Sequence, residues 1–118
     1  MAVNDRDNQI LEKIAKYCEE IEHAHGEYNR SFESFCSNPT YRNAVALCLM
    51  QIGELTNKLS EEFKVAHPEV PWRAIRGMRN VVAHEYGNID EETVWETAEN
   101  GTHELKEFCE KELKNGCL

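Results

Sequence analysis

No apolar run in this chain is long enough to cross a membrane. The longest, Ala44-Val45-Ala46-Leu47-Cys48-Leu49-Met50, covers only residues 44–50, whereas a spanning helix needs about 20 such residues. Glycine and proline are scarce, at six and three in 118 residues, so loop signals are few and helices are favoured. No segment alternates apolar and polar residues with period two, and no Asn-Gly or Asp-Gly sits between strand-like runs, which argues against hairpins and sheets. The five cysteines, Cys18, Cys36, Cys48, Cys109 and Cys117, are odd in number and form no C-x-x-C pair. Neither a disulfide framework nor a zinc site is expected from them. The N-terminus is charged from Asp5 onward and has no signal-peptide apolar segment, so the expected location is cytoplasmic.

What is present is an ordinary globular composition, 41% hydrophobic and 30% charged. It fits one compact domain over residues 1–118. The net charge of −9 weighs against a broadly basic nucleic-acid-binding surface. Its distribution is uneven, however. Residues 90–112 hold nine acids against two lysines, while residues 71–84 hold Arg73, Arg76 and Arg79 and no acid. An acidic chain with one basic stripe can bind phosphate there, or the acidic face of a partner.

Apolar residues recur at helical spacing. Ile10, Ile14, Tyr17, Ile21, Ala24 and Tyr28 predict a first helix from about Asp5 to Tyr28. Ser31 to Cys36 reads as a connector with a short helical turn. Asn38 before Pro39 predicts a capped helix start. Tyr41, Val45, Cys48, Ile52, Leu55, Leu59 and Phe63 then predict one long helix from about Thr40 to Ala66. His67-Pro68 ends it. Pro71-Trp72 opens another helix, expected to reach about His84, before Gly87-Asn88 breaks the chain. Asp90-Glu91-Glu92 suits the positive end of a last helix, which Gly101 interrupts. The expected fold is an all-α, up-and-down bundle of four to five helices.

Polar residues with chemical potential gather in Met78-Arg79-Asn80-Val81-Val82-Ala83-His84-Glu85-Tyr86-Gly87. Arg79 and His84 are five apart, about 140° around a regular helix, and share a face only if the helix end unwinds. Asn80 and His84, four apart, do share one. Histidine changes charge near neutral pH and can give or take a proton. Arginine is a permanent cation whose planar fork fits phosphate oxygens. The pair suits phosphodiester cleavage without metal, and a two-fold dimer would supply the second imidazole. Arg and His at this spacing also arise by chance. The plain reading pairs Arg79 with a carboxylate and makes His84 a helix C-cap.

The context adds to the pair. Gln51-Ile52-Gly53-Glu54, then Val70-Pro71-Trp72-Arg73-Ala74-Ile75-Arg76-Gly77-Met78-Arg79-Asn80, then Val82-Ala83-His84-Glu85-Tyr86, with Ile89-Asp90 and Val94-Trp95 beyond, resemble the HepT-like family of HEPN ribonucleases. The resemblance covers nearly the whole chain in order. It implies an all-helical HEPN-like homodimer with a cleft at the dimer interface. It implies a metal-independent ribonuclease toxin acting on RNA, with no cofactor. It also implies an MntA-like minimal nucleotidyltransferase antitoxin that transfers AMP to the motif tyrosine. Carried over, Arg79 and His84 are catalytic and Tyr86 is the AMP acceptor. Asn80 and Glu54 are supporting, with Glu54 bordering the cleft. Glu54 has a plainer reading as a partner for Lys58 one turn on. Arg73 and Arg76 either track RNA phosphates or pair across an interface with the acidic last helix. The alternative function is a non-catalytic HEPN module that assists the nucleotidyltransferase. His23, His25, His67 and His103 read as solvated surface or loop residues, and the aromatics as core.

Overall fold

The computed structural model describes residues 5–77 and 91–116. Helix α1 spans Asp5–Glu27, α2 Phe32–Ser37, α3 Pro39–Lys58 and α4 Glu61–Ala66. A further helix, α5, covers the described residues 72–77. Helix α6 spans Glu91–Glu96, a π-helical turn Thr97–Gly101 and α7 Thr102–Gly116. Among the described residues there is no strand, and no helix is long and apolar enough to cross a membrane. The architecture is an all-α bundle.

Helix α1 is central and packs on both α3 and α7. Its buried stripe is Ile10, Leu11, Ile14, Cys18 and Ile21. Facing it are Val45, Cys48, Leu49 and Ile52 of α3 and Leu105 and Cys109 of α7. Burial pushes the Cys18 and Cys48 thiols up to about 12 and raises Cys109 as well. These cysteines are therefore protonated core residues, not nucleophiles. Asn38 caps α3 as its sequence predicts, accepting from the Thr40 and Tyr41 amides at 2.9 and 3.3 Å.

One expected helix is two. The run from Thr40 to Ala66 breaks at Leu59 and Ser60, whose ψ angles are 146° and 150°. Asp7, only 2% exposed, explains the break. Its carboxylate accepts from the Ser60 amide at 2.9 Å and the Ser60 hydroxyl at 2.6 Å. The same hydroxyl accepts from the Phe63 amide and caps α4. Apolar periodicity runs through the break because Leu59 and Phe63 are both buried.

The interruption expected near Gly101 is the π turn, closed by Thr102 N–H donating to the Thr97 carbonyl. A Cβ at Gly101 would meet only the Thr97 methyl at 3.8 Å. The widened turn therefore does not depend on a missing side chain. Arg30 clasps this turn to α1, reaching Glu99 at 2.8 Å and Glu22 at 2.5 Å. Ahead of it, Asn29 in the left-handed region (φ 57°) ends α1. The Arg30 amide bonds back to the His25 carbonyl at 2.7 Å, as in a Schellman motif.

His25 is not solvated, contrary to the sequence reading; it is fully buried. The α1 stripe continues Ile14, Cys18, Ile21, His25, so the ring falls on the core face. Its Nδ1 shares a hydrogen bond of 2.5 Å with the Tyr41 hydroxyl, and Trp95 packs on its edge at 5.3 Å. Nε2 is buried and makes no well-formed hydrogen bond among the described residues, with the Ala98 backbone close by. Burial first, and the Arg30 guanidinium second, hold its pKa below the ordinary value. The folded ring thus stays neutral where the unfolded ring, titrating near 6.5, takes up a proton. Stability should be level above that pH and fall as pH drops below about 6.5 toward the folded pKa. Urea midpoints at pH 7.5 and 5.5 test this. The acid loss should shrink in His25→Phe, and an equal loss in both proteins would refute the linkage.

Candidate functional site

The segment carrying Arg79, Asn80, His84 and Tyr86 lies outside the described residues. The structure does show what leads into it. His67, read as a solvated surface or loop residue, is a loop residue after α4 and is half-buried. Its ring packs on Phe63 at 4.6 Å and on Phe108 at 5.1 Å. Its nitrogens lie 3.4 Å from Glu69 and 3.6 Å from Glu112. The His67 carbonyl accepts from Trp72 Nε1 at 3.0 Å. Trp72 packs in turn on Phe63 and Phe108. This aromatic anchor fixes the start of α5, and the Ile75 amide bonds to the Pro71 carbonyl at 3.0 Å as the first turn forms. His23 and His103 are exposed, as expected, beside Glu27 and Glu107.

Of the supporting residues, Glu54 is half-buried on α3. Arg73 and Arg76 are exposed on α5. Three apart, they share one helix face, and both line a groove of about 200 Å³ between α3, α4 and α5. Thr56, Glu61, Lys64 and Trp72 complete its described lining. Neither arginine has a carboxylate within ion-pairing distance among the described residues. Lys64 is held 3.3 Å from Glu61, whose side chain is 86% exposed. The lining therefore carries three cations against one carboxylate.

Sequence reading found the two arginines but not Lys64 or Thr56. Lys64 comes from α4, a helix whose separate existence depends on the Asp7–Ser60 contact. Thr56 sits on a buried stripe that reads as core. A second cavity, of about 410 Å³, is apolar and lies between Leu49, Ile52, Val70, Ile75, Leu105 and Phe108. Within the acidic last helix, Glu110 is paired with Lys106 at 3.8 Å.

The fold and the groove define an all-α protein with a local cationic concavity on an acidic body. Known proteins narrow this class. The family model described as "Ribonuclease HepT-like" matches residues 8–112. A Caldanaerobacter subterraneus protein named "Putative RNase TTE0752" is 38% identical over 107 residues, covering 86% of this chain and 93% of that protein. "Probable ribonuclease HepT" of Thermococcus cleftensis is 36% identical over 103 residues, covering 86% and 90%. "Putative RNase MJ1216" of Methanocaldococcus jannaschii is 36% identical over 87 residues, covering 74% and 72%. No solved structure matches the chain. The chain belongs to the Ribonuclease HepT-like family.

Proposed function

We propose that this protein is a metal-independent endoribonuclease acting as the toxin of a toxin–antitoxin pair in the cytoplasm. The observation that carries the reading is the family match over residues 8–112, which spans the Arg79–Asn80 and His84–Glu85–Tyr86 motif. The chain works as a homodimer, with residues 1–118 as one domain.

The motif chemistry is transesterification. One His84 removes the proton of a ribose 2′-hydroxyl. The 2′-oxygen attacks phosphorus, and the P–O5′ bond breaks. The second subunit's imidazolium gives its proton to the leaving 5′-oxygen. The products are a 2′,3′-cyclic phosphate and a 5′-hydroxyl. Arg79 stabilises the extra charge on the phosphorane. Asn80 and Glu54 support this pair, and Arg73 and Arg76 contact RNA phosphates.

Tyr86 is the point of control. An MntA-like minimal nucleotidyltransferase transfers AMP to its hydroxyl. The added phosphate and purine stand beside His84, where they block RNA and repel its phosphates.

A second reading is a non-catalytic module that assists the nucleotidyltransferase, and the net charge of −9 favours it. Incubation of purified protein with RNA in EDTA separates the two. The enzyme cuts in EDTA, leaving cyclic phosphate ends. Cutting that needs added metal, or no cutting at all, defeats the first reading. Intact mass after co-expression with the nucleotidyltransferase should show AMP-sized additions, lost in Tyr86→Phe.

A further inference from the structure

A protein of net charge −9 that engages RNA has to gather its cations locally. The groove between α3, α4 and α5 is such a place. It has a floor, walls and a size. Thr56 lines it and is 1% exposed. The Thr56 hydroxyl oxygen is buried without a hydrogen-bond partner among the described residues. A buried unsatisfied hydroxyl is a standing cost to the fold, and a ligand oxygen would remove it. Lys64, Arg73 and Arg76 arrive from two different helices, so their charges surround the concavity and do not form a flat strip.

Its volume, about 200 Å³, is below the roughly 300 Å³ at which small-molecule pockets begin. It fits a phosphate with part of a ribose, not a whole nucleotide. A tetrahedral oxyanion with several acceptor oxygens suits three separate cations and one hydroxyl. A planar carboxylate would be satisfied by a single arginine fork.

We infer that Thr56, Lys64, Arg73 and Arg76 form a subsite for one backbone phosphate of single-stranded RNA. The inference rests on the ribonuclease reading for the identity of the ligand. Glu61 tempers the site. It holds Lys64 at 3.3 Å from an exposed position, and an entering phosphate competes with it for the ammonium.

Binding of a labelled, fully 2′-O-methylated RNA decamer tests this without any cleavage. Arg73→Gln/Arg76→Gln should weaken binding at least about tenfold at low salt. It should also reduce the slope of log affinity against log salt by up to about 0.7, the value for one neutralised phosphate of a single strand. Thr56→Val keeps the side chain's shape and removes the unpartnered hydroxyl. It should bind the decamer several-fold more weakly while its Tm stays level or rises, a combination that a merely structural threonine would not show. Unchanged affinity and slope in the double variant would overturn the proposal. So would unchanged RNA binding with a lost dimer in sedimentation, which would assign the arginines to a protein contact. The two readings fail separately. A wild-type protein that binds the decamer through the groove but never cuts RNA leaves the subsite standing alone. One that cuts RNA with the arginines irrelevant to binding loses only the subsite.

Discussion

His84→Ala should cleave RNA about a thousandfold more slowly than wild type, or not measurably. A positioned general acid or base contributes about 10²–10⁴-fold. In a symmetric dimer one substitution removes both the base and the acid. Arg79→Ala should cost about 10²–10³-fold, the usual effect of deleting one group that stabilises developing charge. Arg79→Lys should fall between, because it keeps the charge and loses the planar fork. Mixed dimers sharpen the test. If each cleavage uses one imidazole from each subunit, equal mixing of wild-type and His84→Ala chains leaves about a quarter of the dimers active. If one subunit suffices, about half of the activity survives. Full activity in His84→Ala would remove the imidazole from the mechanism altogether.

The helices were largely legible because their signals are local. Asn38-Pro39 caps α3 whatever surrounds it, and the 3.6 period of α1 is unbroken from Ile10 to Ile21. Signals that depend on distant residues were not legible. The break at Ser60 needs Asp7, fifty-three positions away. The Ser60-Glu61-Glu62 sequence is itself a fair N-cap with acids in the first turn, but the apolar rhythm through Leu59 and Phe63 masks it. His25 is a different case: its place four residues after Ile21 puts it on the buried stripe, but histidine as a residue type reads as solvated. Its partner Tyr41 lies on another helix, and a histidine at a core position has the same letter as one at the surface.

The candidate site divides along the same line. The Arg79–His84–Tyr86 set is a contiguous motif and could be read as one, although its geometry falls outside the described residues. The groove could not be read, since Thr56, Lys64 and the two arginines belong to three helices and meet only through the packing of Trp72 on Phe63 and Phe108.

The largest effect on stability should come from Tyr41→Ala. Tyr41 is fully buried and is the largest such side chain in the described core. It stacks on Tyr28 at 4.5 Å and meets Phe35 edge-on at 5.4 Å. It also bonds His25 through its hydroxyl and lies 6.2 Å from Trp95. It therefore joins α1, α2, α3 and α6 at one point. Deleting a buried aromatic costs about 3–5 kcal/mol, a large share of the roughly 5–15 kcal/mol that holds a domain together. Tyr41→Phe removes only the hydroxyl and leaves Nδ1 of the buried His25 unpartnered, which should cost about 1–3 kcal/mol. Val65→Ala, at an exposed position, should stay within about 0.5 kcal/mol of wild type. Urea midpoints at one fixed protein concentration give this ranking, since association changes apparent stability by mass action. If Tyr41→Ala and Val65→Ala unfold together, the aromatic cluster is not what ties these four helices to one another.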